Sequence, residues 1–195
     1  MRTRIRRRLA AALTGVLLAA VGPAIAHAQP PSDEVPAPPA HLLDVGDDRY
    51  GIQNYKSRKY LQPAGGVVTN GAKIVQMPES LGSDGDFAET QNWYVFSAGS
   101  SYVSLENDNS GRNLGIDGAS TTSGAAAIQA NGSSDLNQDW ELITKTSYPA
   151  GWYALKNRKS GLCRGISGAS TANGAQAAQF ACDDSANQLW KPDDR

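Results

Sequence analysis

The chain has 195 residues, of which 40% are apolar, 7% aromatic and 19% charged, with 20 glycines and two cysteines. That length favours one domain with something attached at its ends. Its formal net charge of −1 becomes −6 once the first 28 residues are set aside, because 18 Lys+Arg less five arginines leaves 13 against 19 Asp+Glu; a chain this acidic lacks the positive footprint that nucleic acid and anionic membranes require.

From the N-terminus, Arg2, Arg4, Arg6, Arg7 and Arg8 form a basic start, Leu9 to Val21 an apolar run, and Ala26-His27-Ala28 a small-residue cleavage pattern. Residues 1–28 therefore read as a removable signal peptide. The apolar run is shorter than the roughly 20 residues of a membrane helix, so the expected mature protein is secreted, extracellular and not membrane-bound. Residues 29–48 carry Pro30, Pro31, Pro36, Pro38 and Pro39 among Ser, Asp and Glu. This composition favours an extended linker.

Beyond residue 48 the apolar pattern has the period of strands. Tyr50-x-Ile52, Val103-x-Leu105 and Tyr153-x-Leu155 alternate large apolar with polar residues, as strands with one buried face do. Between the apolar pairs lie Asn70-Gly71, Ser110-Gly111, Ser123-Gly124, Ser160-Gly161 and Asn173-Gly174, which have the chemistry of tight turns. The stretches recur. Gln91-Asn92-Trp93, Gln138-Asp139-Trp140 and Gln188-Leu189-Trp190 close three similar units at about 49–97, 98–147 and 148–193, the first with six extra residues ahead of Gln91. Gly115-Ile116-Asp117-Gly118-Ala119-Ser120-Thr121 aligns without a gap on Gly165-Ile166-Ser167-Gly168-Ala169-Ser170-Thr171. A unit this short cannot bury its own apolar face, so the three must share a core in one all-β domain spanning residues 49–193.

With three Gln-x-Trp closures and Asn157-x-x-Ser160-Gly161, Asn173-Gly174-Ala175, Gln179-Phe180 and Asn187-Gln188-Leu189-Trp190 in the third unit, the chain resembles the ricin-B-type lectins, and among them the bacterial secreted members. The resemblance implies a β-trefoil of three repeats with pseudo-threefold symmetry. Trp93, Trp140 and Trp190 are expected to fill the shared core, where aromatic rings bring the most apolar area. Gln91, Gln138 and Gln188 are expected to satisfy nearby backbone groups, since a buried amide without partners costs a few kcal/mol. Cys163 and Cys182 are the only cysteines and should pair in an oxidising compartment. They occupy the positions of the intra-repeat disulfide of ricin-like lectins, so the resemblance implies that bridge.

The resemblance also implies one shallow sugar pocket per repeat, built from an Asp, an aromatic residue and an Asn. The third repeat has Gly165, Phe180 and Asn187 at those positions, the second Gly115, Ala130 and Asn137, and the first Gln62, Met77 and Thr90. The third is therefore the expected site, with Phe180 either a stacking platform or packing over the disulfide. Asp117, two residues beyond Gly115, is either a substitute acceptor on the same strand face or a solvated turn carboxylate. Arg164 aligns with Leu61 and Leu114, and is open between a rearranged surface residue, a snorkelling side chain and a clamp for an acidic sugar. Candidate carbohydrate-binding residues are thus Phe180, Asn187, Arg164 and Asp117.

Other chemistry has less to stand on. Glu79, Asp84, Asp86 and Glu89 lack the ligand alternation of a calcium loop, and no metal or cofactor is expected. His27 and His41 lie outside the repeats, no nucleophile elbow is present, and counting carboxylates does not exclude a glycosidase; it is the resemblance that implies binding without enzymatic activity. The function expected is a monomeric, secreted carbohydrate-binding module whose partner is a glycan or polysaccharide. The alternative is a protein-interaction or inhibitor trefoil that has lost its sugar pockets.

Overall fold

The computed structural model describes residues 49–194. The expected signal peptide and linker lie outside the described residues. Twelve strands fall into three sets of four: β1 (Arg49–Asn54), β2 (Tyr60–Pro63), β3 (Ile74–Met77), β4 (Asn92–Ser97); β5 (Tyr102–Asn107), β6 (Arg112–Ile116), β7 (Ala127–Ala130), β8 (Trp140–Ile143); β9 (Tyr153–Asn157), β10 (Cys163–Ile166), β11 (Ala175–Phe180), β12 (Leu189–Asp193).

The outer strands of each set close a barrel. β1 pairs with β4, β4 with β5, β5 with β8, β8 with β9, β9 with β12, and β12 returns to β1, all antiparallel. The inner strands form three hairpins, β2–β3, β6–β7 and β10–β11. These meet across one end of the barrel through β3–β11 pairing and the single bridges Lys73 to Ile128 and Ala126 to Ala178. A six-stranded barrel capped by three hairpins is a β-trefoil, and closure leaves the barrel without free edges.

Strand alternation supplies the core. β5 buries Val103, Leu105 and Asn107 and half-exposes the residues between them. Ile52, Leu105 and Leu155, at equivalent positions of the three repeats, share one cluster with Leu61, Leu114, Ile166 and the three Gln-x-Trp tryptophans. Each of those tryptophans is fully buried. Their indole N–H groups donate to Leu61 O (3.1 Å), Leu114 O (3.1 Å) and Arg164 O (2.9 Å), so the ring fills the core and its one polar atom is paired with the capping hairpin.

Buried amides join the repeats. Gln76 donates to Ser170 O and Ala172 O in the third repeat, Gln129 to Val67 O and Thr69 O in the first, and Gln179 to Ser120 O and Thr122 O in the second. Each side-chain oxygen accepts from a serine of its own repeat, Ser57, Ser110 or Ser160. The carbonyls they reach sit just after equivalent 3-10 turns at Ala64–Gly66, Asp117–Ala119 and Ser167–Ala169. Gly65, Gly118 and Gly168 take positive φ there (67°, 57° and 62°), conformations most side chains resist. Near the capping end, Gln176 donates to the three equivalent carbonyls of Ile74, Ala127 and Ala177.

The bridge between Cys163 and Cys182 is formed, with a sequence separation of 19. It ties β10 to the loop after β11.

Candidate functional site

In the third repeat, β10 and β11 pair with Cys163 opposite Phe180 and Gly165 opposite Ala178. The 3-10 turn Ala186–Gln188 then brings Asn187 back over β10. A Cβ on Gly165 would lie 3.0 Å from Asn187 Nδ2, 3.0 Å from Gln188 Cγ and 3.3 Å from Phe180 Cδ2. Phe180 and Asn187 therefore converge on Gly165, the juxtaposition expected from the sequence. The same contacts fill the room an aspartate would need.

Phe180 is half-buried, with part of its ring at the surface. Asn187 is only 9% exposed. Its Oδ1 accepts from Ser185 Oγ at 2.8 Å, its Nδ2 lies 3.5 Å from Ile166 O, and its backbone O accepts from Asn54 Nδ2 at 3.0 Å. The asparagine thus ties the loop to β10 and to the first repeat.

Arg164 corrects one expectation. Its side chain is fully buried, and Nε, Nη1 and Nη2 have no protein acceptor in reach. The guanidinium carbon lies 4.3 Å from the Trp190 ring centroid and 5.7 Å from that of Trp140, so it stacks inside the core. Burial pushes the guanidinium well below its ordinary pKa. A group with no surface cannot clamp a sugar, and the inward orientation follows from its register with Leu61 and Leu114.

For Asp117 the structure gives the turn carboxylate and not the strand-face acceptor. β6 ends at Ile116, and Asp117 opens the 3-10 turn, its N–H donating to Ala126 O. Strand alternation stops one residue too early to carry its carboxylate onto the face of Gly115. Asp117 is exposed. Gly115 is covered as Gly165 is, with a hypothetical Cβ 3.1 Å from Gln138 Cγ and 3.3 Å from Asn137 Nδ2. Asn137 donates inward to Ile116 O, and Ala130 stands where an aromatic platform would be.

The first repeat is closed by its insert. Gln62 Oε1 accepts from Gln91 Nε2, which also donates to Pro78 O. Phe87 is 2% exposed, packs on Tyr60 with ring centroids 4.8 Å apart, and lies directly over Gly51. Arg49 bridges Asp108 at 3.1 Å and Asp86 at 3.5 Å. The extra residues form a clasp around a buried phenylalanine, with the acidic residues at its rim. Gln138 and Gln188 play the part of Gln91 in their own repeats, donating to Asn131 O and Ala181 O.

A second buried cluster, Tyr148, Trp152, Ala154, Cys163 and Leu189 with Tyr55 against it, was not anticipated. Its sequence signal was Tyr148-Pro149-Ala150-Gly151-Trp152, which has no counterpart in the other two repeats. No group of His, Cys, Asp and Glu suited to a metal occurs among the described residues.

A closed barrel with three capping hairpins and a tryptophan stitched to each hairpin defines a β-trefoil with a Gln-x-Trp closure in every repeat. The family model of the ricin-type β-trefoil lectin domain-like family matches residues 41–130 and 136–195, and the chain belongs to that family. A designed threefold-symmetric protein, ThreeFoil, is 31% identical, with a TM-score of 0.70 over 76% of this chain and 100% of that one. The exo-β-1,3-galactanase of Clostridium thermocellum is 29% identical with a TM-score of 0.69; the match covers 77% of this chain and 31% of the galactanase. The ricin B-like lectin of Macrolepiota procera, solved with lactose, is 19% identical with a TM-score of 0.62 over 75% and 95% of the two chains, a likeness of fold. No curated protein sequence matches the chain.

Proposed function

We propose that the protein is a secreted carbohydrate-binding module that takes a glycan or polysaccharide through its third repeat, without catalysing its cleavage. The observation that carries this is the convergence of Phe180 and Asn187 on Gly165, in a family whose fold suggests carbohydrate binding. A sugar ring offers a C–H face to an aromatic side chain and hydroxyls to fixed amides. Phe180 supplies the first, and Asn187, held beside it, is the amide closest to the second. The disulfide beside Phe180 and the Ser185 hydroxyl on Asn187 hold both in place before ligand arrives, which reduces the ordering cost of binding.

With Gly165 and Gly115 at the expected aspartate positions, each pocket lacks a charged acceptor, a loss of about 1.5 to 3 kcal/mol. Such a site is weak for a monosaccharide and suits a ligand that repeats along a chain, where local concentration compensates for affinity. Of the three repeat pockets only the third keeps both the aromatic residue and the asparagine, so the repeats supply one site between them. In this reading the N-terminal segment 1–28 directs export and residues 29–48 are a linker.

The test is binding of residues 29–195, with the disulfide formed, to a glycan array and to insoluble plant, fungal and bacterial polysaccharides. A hit that Phe180→Ala abolishes while the thermal transition is retained supports the reading. Binding undiminished by Phe180→Ala rejects the third-repeat site, and silence of a folded sample across all ligands favours the second reading. That second reading is a protein-interaction trefoil, favoured by the inward-turned amides over Gly115 and Gly165.

A further inference from the structure

The turn after β1 and the connection between β8 and β9 meet beside the loop that follows β11. Tyr55 and Trp152, from the first and third repeats, stack edge to face with centroids 4.8 Å apart at 70°. Arg58 lies over both rings, 4.7 Å from Tyr55 and 5.1 Å from Trp152. Next to them opens a cleft of about 360 Å³, walled by Tyr55, Pro149 and Leu189 on its apolar side and by Ser147, Tyr148 and Asp184 on its polar side.

The polar side is prearranged. Both oxygens of Asp184 accept from Lys145 Nζ at 2.7 Å, and Oδ1 also accepts a short hydrogen bond from the Tyr148 hydroxyl. The carboxylate remains 45% exposed, so its free lone pairs are within reach of a ligand. Ser147 is exposed beside it. Arg58 and Asp184 both have φ of 59°, in the left-handed region that non-glycine residues seldom adopt. At Arg58 this is the turn conformation that Gly111 and Gly161 take in the other two repeats, whereas at Asp184 it sets the direction of a carboxylate that lines the cleft.

The pseudo-symmetry of the fold supplies an internal comparison. The groove between the second and third repeats, about 380 Å³, is built at equivalent positions from Ala98, Ser134 and Asp139, with Arg158 contributed by the next repeat. In the cleft those positions hold Tyr148, Asp184, Leu189 and Tyr55. The fold thus makes the groove, and the sequence has furnished this copy with an aromatic wall and with a carboxylate left 45% exposed. In the other groove the carboxylate, Asp139, is taken up by Arg158 at 2.9 Å and is only 15% exposed, and no aromatic residue lines the groove, so the barrel needs neither feature.

We propose that this cleft is a second saccharide-binding site, separate from the Phe180 pocket, and that it takes a neutral hexopyranoside. The apolar wall receives the C–H face of the ring, and Asp184 accepts from two adjacent hydroxyls, with Ser147 and the Tyr148 oxygen beside them. Lys145 neutralises Asp184 and Arg58 is engaged with the aromatic rings, so the cleft holds no unopposed charge that would favour an ionic ligand. With the third-repeat pocket also occupied, the module would grip a polysaccharide at two points on one face of the loop 181–187, which borders both.

The experiment is an amide NMR titration of the folded chain with lactose, cellobiose and maltose. At least one is expected to shift the amides of Ser147, Asp184 and Ala186, and Phe180→Ala is expected to leave those shifts in place. Asp184→Asn keeps the left-handed backbone, which asparagine tolerates, and removes the charged acceptor; the dissociation constant should rise about tenfold or more. Ser147→Phe, which fills the exposed rim, should abolish the shifts. The proposal is overturned if none of the three sugars moves these amides, or if both variants bind as the parent does. Shifts confined to Phe180 and Asn187 overturn it while supporting the third-repeat pocket.

Discussion

Arg164→Leu should stabilise the protein. The substitution places the residue of the first and second repeats, Leu61 and Leu114, at the equivalent point of the third. The native side chain buries a guanidinium that no protein acceptor reaches, and arginine stays charged even when burial opposes it. Against several kcal/mol of desolvation stands its stacking on Trp190 at 4.3 Å and Trp140 at 5.7 Å, about 2 kcal/mol for a desolvated cation–π contact. Replacing buried ionic groups by packed hydrophobic ones gains about 1 to 4 kcal/mol. Leucine is smaller, and a residual void of some tens of Å³ returns about 0.5 to 1 kcal/mol at ~24 cal/mol per Å³. The net expectation is about 2 kcal/mol, which for a domain of this size raises Tm by roughly 4 to 8 °C. The bond from Trp190 to Arg164 O is made by the backbone and survives the change. Urea melts should show a higher midpoint at an unchanged m-value, and Leu114→Arg should be strongly destabilising. An Arg164→Leu protein less stable than the parent by 1 kcal/mol or more would refute this account, since stacking would then outweigh desolvation.

Gln129→Ala should cost about 2 to 3 kcal/mol in urea melts, because Val67 O, Thr69 O and Ser110 Oγ lose their partner together; a cost under about 0.5 kcal/mol would remove Gln129 from the inter-repeat bond network. Reduction of Cys163–Cys182, or the double Ser variant, should cost about 3 kcal/mol in the chain-entropy account, read from the same melts. Hydrogen bonds from Lys145 and Tyr148 hold Asp184 below its ordinary value of 3.8, so the tie is present above that value and is lost as pH falls through the lowered one. The Asp184 carboxyl carbon shift should thus stay flat from neutral pH into mild acid, and titration at or above 3.8 would contradict the geometry.

Much of the fold could be read from residue spacing because the repeats are nearly in register. The offset that aligns Gly115 with Gly165 also aligns Leu114 with Arg164 and Trp140 with Trp190, and the structure gives both tryptophans the same hydrogen bond. The pairing of Cys163 with Cys182 followed from compartment and family resemblance together. The insert before Gln91 was visible, but its role was not, because the partners of Phe87 are Tyr60 and Gly51, far back in the chain. Of the two readings of Asp117, the turn carboxylate fits, because the alternation that would carry it onto the strand face ends with β6 at Ile116. The grouping of Tyr55 with Tyr148, Trp152 and Asp184 was hidden for a different reason: it forms only when barrel closure brings the first repeat against the third. A scan for repeated residues passes over what a single repeat holds alone.

Because β1 pairs with β12, with Gly51 opposite Asp193, the two ends of the domain lie side by side and the order in which the chain visits the barrel is arbitrary. A short peptide could join residues near 49 and 194, with new ends cut at the exposed turn of Gly99 and Ser100, and every strand would keep its neighbours. Such a circular permutant should refold to the same ring. Its stability relative to the parent would measure how far the protein depends on the route the chain takes and how far on the closure that route achieves.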